Sequence, residues 1–266
     1  MRWMFLVLSA CALAQTPAEQ RGKKLIDQAI QALGGDNFLK MEDRIESGRA
    51  YSFYRDNISG RDIARIYTRY ITVPAGKSSE VLGQRERDAF GKQEESAVLF
   101  TEKSAWEINW RGSKELPKDR YDRYRDSTFR NIFYILRVRL REPGMVFESR
   151  GSDVIDNQPV DIVEITDADN RMITVHFHQT SHLPVRQIYS HFNDQTKERD
   201  QEVTLYSRYR DVNGIQWPHQ IHRERNGEKV YEIFSETVEI DKDLTDELFS
   251  VPAEGSNLAK PPKAKK

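Results

Sequence analysis

The stretch YRDVNGIQWPHQIHRERNGEKVYEI, residues 209–233, contains the turn-forming dipeptide Asn-Gly twice. Asn213-Gly214 and Asn226-Gly227 are thirteen residues apart, an interval that fits one strand plus one tight turn. Asn-Gly favours the type I′ turn, because both central residues then have positive φ and the turn matches the twist of the strands it joins. Pro218 cannot donate a ladder hydrogen bond, which indicates an edge or a bulge. The stretch therefore predicts a meander of three antiparallel strands.

Alternating apolar and polar side chains extend this pattern over residues 44–110 and again after residue 145. One predicted hairpin places Trp106, Ile108 and Trp110 on the same face of its second strand. The pattern predicts about ten to twelve antiparallel strands. Because only two helical segments interrupt them, we expect an α+β fold with one strongly curved antiparallel sheet.

The first predicted helix precedes the strands. Ile26, Ala29, Ile30 and Leu33 follow the spacing of one buried helical face. Gly34-Gly35 ends the helix, because glycine accepts the left-handed conformation common at helix ends.

The second predicted helix runs from Tyr121 to Arg141 and has an apolar side and an arginine-rich side. Its apolar positions Phe129, Phe133 and Leu136 fall on one helical face. We expect this helix to form a lid over the concave face of the sheet, with the arginines outside. Those arginines fit either contact with anionic head groups or an acidic partner, or i, i+4 ion pairs on a solvated face.

The composition and motifs argue against several classes of function. The 266 residues carry a net charge of −1, so no overall basic excess indicates nucleic-acid binding. The sequence has no G-x-S-x-G nucleophile elbow and no phosphate-binding glycine loop between a strand and a helix. We therefore expect a protein that is not an enzyme and has no cofactor.

The histidines offer a weak metal-binding pattern. His176 and His178 share one face of a predicted strand, a spacing that zinc sites use. Ile173, Val175 and Phe177 form the opposite, apolar face. We therefore expect the two histidines to lie in solvent, with no metal site.

The N-terminal residues 1–14 have the features of a secretory signal peptide. Arg2 precedes an apolar run, and Ala12 and Ala14 fit an A-x-A cleavage site. Cys11, the only cysteine, lies in a lipobox-like context, so a lipid anchor at Cys11 is the alternative. Residues 15–252 are predicted to form one domain, and residues 253–266 a disordered basic tail.

Several stretches together resemble the outer-membrane lipoprotein-sorting protein family, the LolA-like superfamily. They are ALGGDNFLKM, SAWEINW, the arginine-rich helix, VEITDADNRMITVHFHQTSHLPVRQ, YRDVNGIQWPHQI, NGEKVYEI and LTDELFSVP. One departure is His178, where such proteins often have Asp. The resemblance implies an incomplete, half β-barrel whose concave apolar face is covered by helices.

The resemblance and the aromatic pattern together predict a periplasmic carrier or binder of a hydrophobic ligand, either lipid or the acyl chains of a lipoprotein. The alternative is a sensor or binding module that contacts another envelope protein. We expect a monomer with at most peripheral membrane contact. The residues expected to line the ligand cavity are Trp106, Trp110, Phe129, Phe133, Leu136, Phe177 and Trp217.

Overall fold

A computed structural model describes residues 15–74, 77, 80–193 and 196–252. The predicted signal peptide (1–14) and the predicted disordered tail (253–266) lie outside the described residues. Within those ranges, no helix is both long enough and apolar enough to cross a membrane.

The chain forms a short helical N-terminal layer, six strands, a second helical segment and seven further strands. The helices are α1 (Pro17–Leu33), α2 (Asp36–Lys40), α3 (Lys118–Phe129) and α4 (Ile132–Tyr134), which continues as a π-helical turn (Ile135–Arg139). The first strands are β1 (Asp43–Tyr54), β2 (Asn57–Tyr70), β3 (Gln84–Phe90), β4 (Ser96–Phe100), β5 (Ala105–Asn109) and β6 (Gly112–Glu115). The later strands are β7 (Val146–Ile155), β8 (Gln158–Thr166), β9 (Met172–His178), β10 (Pro184–Asn193), β11 (Glu198–Val212), β12 (Ile215–Arg225) and β13 (Glu228–Ile240). A 3-10 helix (Asp246–Phe249) follows β13.

Within the described ranges, thirteen strands form one antiparallel sheet in the order β6-β5-β4-β3-β2-β1-β13-β12-β11-β10-β9-β8-β7. The sheet does not close into a barrel, since β6 and β7 are its two end strands. The predicted α+β class and antiparallel sheet are confirmed, with one strand more than the upper predicted number.

The two Asn-Gly turns join β11 to β12 and β12 to β13, as the sequence predicts. Asn213 and Gly214 have φ of 54° and 79°, and Asn226 and Gly227 have φ of 53° and 81°. The ladder between β12 and β13 begins at Gln220, beyond Pro218 in the chain. The expected meander is therefore present, but Pro218 lies in an interior strand rather than at an edge, and the register shift between β12 and β13 falls at Arg223 and Glu224.

Helix α1 begins at a complete capping box and packs on the half of the sheet that contains β7, β8 and β12. The Thr16 hydroxyl accepts from the Glu19 backbone N–H at 3.1 Å, and the Glu19 carboxylate accepts from the Thr16 N–H at 2.9 Å. The apolar face predicted from the spacing is buried against β7, β8 and β12. Gly22 allows the close approach, because a Cβ there would lie 2.3 Å from the Phe147 carbonyl oxygen.

The sheet is covered on both faces. The main core joins α1, α2 and α4 to residues of the strands from β7 to β13. A second core lies on the opposite face of β2–β5, where the segment after β13 packs. Its buried members are Tyr67, Ala89, Ala97, Leu99, Ile108, Leu244, Leu248 and Phe249.

The single helix predicted from Tyr121 to Arg141 is wrong, because the helix breaks at Arg130 and Asn131. Asn131 is extended, with φ −71° and ψ 126°, and its side chain accepts from the backbone N–H groups of Phe133 and Tyr134. Asparagine competes for backbone hydrogen bonds in this way, which favours it at helix N-caps over helix interiors. The apolar face is thereby divided between α3 and α4.

The expectation that the arginines of this region lie outside is also wrong for Arg139. Its side chain is 1% exposed and pairs with Glu142 and Asp167, each at 2.7 Å. Its guanidinium also donates to the Phe129 carbonyl oxygen at 2.8 Å. Arg139 therefore ties the end of α3 and the π-helical turn to the connection between β8 and β9.

We predict that Arg139→Met lowers the free energy of unfolding by about 3–5 kcal/mol, since it leaves Glu142 and Asp167 without their shared buried partner. Arg141→Met is the matched control, because Arg141 is exposed. Urea denaturation of both variants checks this expectation. A loss for Arg139→Met no larger than that for Arg141→Met would contradict the anchoring role.

Candidate functional site

A cavity of about 330 Å³ lies between the sheet and the α3–α4 segment. This volume is at the lower end of the range of small-molecule sites. The strands that contribute are β4, β3, β2, β1, β13 and β12, which are consecutive neighbours in the sheet. The lining residues are Arg44, Glu46, Ile66, Tyr70, Gln84, Glu86, Asp88, Phe90, Phe100, Tyr124, Ser127, Thr128, Asn131, Phe133, Tyr134, Trp217, Ile221, Arg223, Tyr231 and Ile233.

Aromatic contacts connect the helical side of the cavity to two distant strands. Tyr124 of α3 stacks on Phe100 of β4, with ring centroids 3.7 Å apart and planes 9° apart. Phe133 of α4 packs against Trp217 of β12 at 4.8 Å and against the edge of Tyr206 at 5.0 Å. These rings give the cavity apolar walls at both sides of its roof.

The structure brings two of the seven predicted cavity residues, Phe133 and Trp217, to the lining. Phe129, Leu136 and Phe177 are buried beside it without lining it. Leu136 and Phe177 lie in the main core, whereas Phe129 packs with Leu82 and Tyr134 in a smaller cluster. Core packing therefore accounts for the contacts of these three side chains.

The two tryptophans of the β4–β6 region lie away from the cavity. Trp106 pairs in register with Leu99, which belongs to the core on the opposite face of the sheet. Trp110 lies in the turn between β5 and β6 and is 75% exposed, with Arg111 4.6 Å from its ring centroid. Alternation correctly placed Trp106 with Ile108 but could not indicate which face of the sheet borders the cavity.

The structure also places charged side chains inside this cavity, which the sequence reasoning missed. In β3, Glu86 and Asp88 face the cavity while Ala89 joins the opposite core. In β1, Arg44 and Glu46 line the cavity as well. The only sequence signal was the alternation of charged and apolar residues in these strands, which also describes a solvated face.

Arg44 and Glu46 form a compensated pair in this lining. The Arg44 Nε donates to Glu46 at 2.8 Å, and its other nitrogens donate to Thr68 at 3.0 Å and Tyr70 at 3.2 Å. The Arg44 guanidinium lies 4.1 Å from the ring centroid of Trp217. Ser235 completes the pair by donating to the other Glu46 oxygen at 3.1 Å.

Glu86 and Asp88 have fewer hydrogen-bond partners than this pair. The Thr68 hydroxyl donates to Glu86 at 3.3 Å, and the buried Oδ1 of Asp88 has no hydrogen-bond partner among the described residues. Desolvation raises the pKa of Glu86. Desolvation, and then repulsion by Glu86, raises the pKa of Asp88 well above its usual value. The cavity therefore favours the uncharged form of Asp88.

Two of the histidine expectations require correction. His176 is buried rather than solvated, in the strand β9 between β8 and β10. Desolvation, together with the charge of Arg186, lowers the pKa of His176. His178 is partly buried and its ring accepts from the Ser181 N–H at 3.2 Å. No group of three or more potential metal ligands within the described ranges could hold a metal ion.

Comparison with known proteins places the fold. No family model matches the sequence, and no curated protein matches it either. Three solved structures are similar over most of both chains. A DUF1329 family protein from Desulfovibrio piger has a TM-score of 0.59 and 14% identity, covering 86% of this chain and 97% of that one.

A candidate outer membrane lipoprotein-sorting protein domain from Vibrio parahaemolyticus has a TM-score of 0.54 and 10% identity, covering 87% and 97% of the two chains. A LolA superfamily protein from Nitrosomonas europaea has a TM-score of 0.52 and 12% identity, covering 86% and 97%. The chain therefore has a LolA-like fold, as the sequence motifs predict. At these identities the similarity establishes the fold alone.

We predict that Asp88→Asn stabilises the protein by about 1 kcal/mol at neutral pH, since it removes a poorly satisfied carboxylate from the cavity. In the unfolded chain the Asp88 carboxyl group has its usual pKa of 3.8 and loses its proton above that pH. In the folded protein its pKa is raised, so the carboxyl group stays protonated to a higher pH. Wild-type stability from this group is therefore greatest below pH 3.8 and falls as the pH rises. Denaturation midpoints from pH 4 to 8 should show the advantage of Asp88→Asn growing with pH. A variant that is no more stable than wild type at any pH would contradict this.

Proposed function

We propose that this protein is an exported, non-enzymatic carrier or binder of a hydrophobic ligand in the cell envelope. The observation that carries this proposal is the cavity between the sheet and the α3–α4 segment, whose walls include Phe90, Phe100, Phe133, Trp217 and Ile233. Ligand pockets of this kind bind through apolar area, with a few polar groups fixing orientation. The lipoprotein-sorting description of the Vibrio parahaemolyticus domain agrees with this class of function.

The proposal includes a half-barrel shape for the sheet in the single domain of residues 15–252. Phe100 and Trp217 lie on strands five intervals apart, which is about 24 Å in a flat sheet. Their ring partners Tyr124 and Phe133 are only nine residues apart in the chain, on α3 and α4. A curved sheet brings β4 and β12 toward each other and supports both contacts. The concave side would then be the ligand side.

Export is the second part of the proposal and rests on the first fourteen residues. We predict that N-terminal sequencing of the protein purified from the envelope fraction begins at Gln15, because Ala12 and Ala14 fit signal cleavage. A mature chain that begins with a lipid-modified Cys11 would replace a periplasmic protein by a lipid-anchored one. A chain that retains Met1 in the cytoplasmic fraction would contradict export itself.

The direct test of function is organic extraction of the purified protein followed by mass spectrometry. Acyl-chain lipids that co-purify in stoichiometric amounts would support the carrier or binder. A protein free of lipid that also fails to bind a fluorescent fatty acid would contradict it. The binding or sensor module that the sequence leaves as an alternative predicts this second result.

We predict that Phe133→Ala weakens fluorescent fatty-acid binding and lowers the free energy of unfolding by about 3 kcal/mol, the low end for a buried Phe, because this ring already borders a cavity. Phe177→Ala is the matched control, since Phe177 is 1% exposed in the same core but outside the cavity lining. It should lose about 3–5 kcal/mol and keep its binding per folded molecule.

Binding and denaturation are measured on the same samples, so that the unfolded fraction can be subtracted. Equal binding losses per folded molecule in Phe133→Ala and Phe177→Ala would contradict a ligand contact of Phe133.

A further inference from the structure

Two guanidinium groups line the cavity, and they differ in how their charge is compensated. Arg44 bonds to Glu46, Thr68 and Tyr70 through its three nitrogens. Arg223 of β12 is exposed along the cavity lining and forms no ion pair and no hydrogen bond with the described residues. The Tyr231 ring centroid lies 5.8 Å from its guanidinium carbon. A cation inside a ligand-sized cavity is therefore left without a direct counter-ion.

The neighbouring arginine on the same strand shows the contrast. Arg225 lies two residues further along β12, at the outer end of the strand, and pairs with Glu202 at 2.6 Å. It is outside the cavity lining. Of these two arginines of β12, only Arg225 forms an ion pair with the described residues.

The carboxyl groups of the cavity do not supply the missing counter-ion by contact. Glu46 is already bound to Arg44 and Ser235, and Glu86 accepts from Thr68. Neither Glu86 nor Asp88 pairs with Arg223. A carboxyl group in such a place can become neutral by taking up a proton, whereas a guanidinium cannot lose one. The Arg223 guanidinium therefore keeps its positive charge in the cavity whatever the protonation of these carboxyl groups.

The side chains that line the cavity from Arg223 along β12 and β13 toward Trp217 are apolar. Ile221 lies two residues before Arg223 on β12, and Ile233 is the partner of Ile221 in register on β13. Trp217 lies six residues from Arg223, about 20 Å along the strand. Phe133 covers the Trp217 end. The cavity thus has at one end a guanidinium that is unpaired among the described residues and, between it and the Arg44–Glu46 pair beside Trp217, apolar side chains along β12 and β13.

Given the ligand-binding function proposed above, on which this assignment rests, we propose that the cavity selects amphiphiles with an anionic head group. Arg223 binds the carboxylate or phosphate of that head group. The alkyl chain extends past Ile221 and Ile233 toward Phe133 and Trp217. A guanidinium suits either anion, because its N–H groups match two oxygens at once.

The experiment compares three probes that share a ten-carbon chain and differ in head group: decanoate, 1-decanol and decyltrimethylammonium. Their affinities are measured with the full chain by displacement of a fluorescent alkyl probe after lipid extraction. Decanoate should bind at least about tenfold more tightly than 1-decanol, the value of one charge-assisted hydrogen bond. This comparison uses only the wild-type protein, so it does not require that any variant folds.

Variants then assign the preference to one side chain. Arg223→Gln should reduce decanoate affinity to that of 1-decanol while 1-decanol binding stays the same. Arg223→Lys should retain part of the preference, because it keeps the charge but loses the paired donors. Arg225→Gln is the control and should behave as wild type, since it removes a nearby positive charge from outside the cavity. Decyl phosphate in place of decanoate distinguishes a phosphate preference from a carboxylate preference.

Three results would overturn the assignment in distinguishable ways. Equal binding of decanoate and 1-decanol would reject head-group selection and leave the proposed ligand-binding function standing. Tightest binding of decyltrimethylammonium, lost in Asp88→Asn, would make the acidic groups the recognition element. No binding of any probe would reject both the selection and the proposed function.

Discussion

The position of the α3–α4 segment on the sheet depends on the buried ion pairs of Arg139. This side chain binds Glu142 in the segment after the π-helical turn and Asp167 in the β8–β9 connection. Its bond to the Phe129 carbonyl oxygen adds the last residue of α3. Because α4 has only three residues before the π-helical turn, it cannot be stable alone. The cavity roof therefore depends on contacts with the sheet and on this anchor.

The cavity has a composition that stable packing alone would not favour. Arg44, Glu46, Glu86, Asp88 and Arg223 lie among aromatic and aliphatic side chains. Moving charge away from water costs free energy, and hydrogen bonds or ion pairs offset that cost only where they are complete. The Arg44–Glu46 pair is complete, whereas the buried Oδ1 of Asp88 has no hydrogen-bond partner among the described residues, and the exposed Arg223 forms no ion pair with them. These groups are the ones that the proposed ligand could satisfy.

Much of the fold could be predicted because it follows from local rules. Asn213-Gly214 and Asn226-Gly227 set their turns through their own backbone preferences. The α1 face formed by Ile26 and Leu33 follows from helical periodicity. The antiparallel sheet follows from period-two alternation and short connections. These features need no information about distant parts of the chain.

The cavity depended on information that the sequence does not contain locally. Alternation shows that Trp106 and Ile108 share a face, but only the tertiary structure decides that this face meets the C-terminal segment. Arg139 looks like a surface residue until Asp167 is brought to it from another part of the chain. Of the predicted lining, Phe133 and Trp217 reach the cavity because α4 and β12 are packed together. The sequence by itself determined which residues share a strand face or a helix face, and the packing of the layers decided which of those faces encloses a cavity.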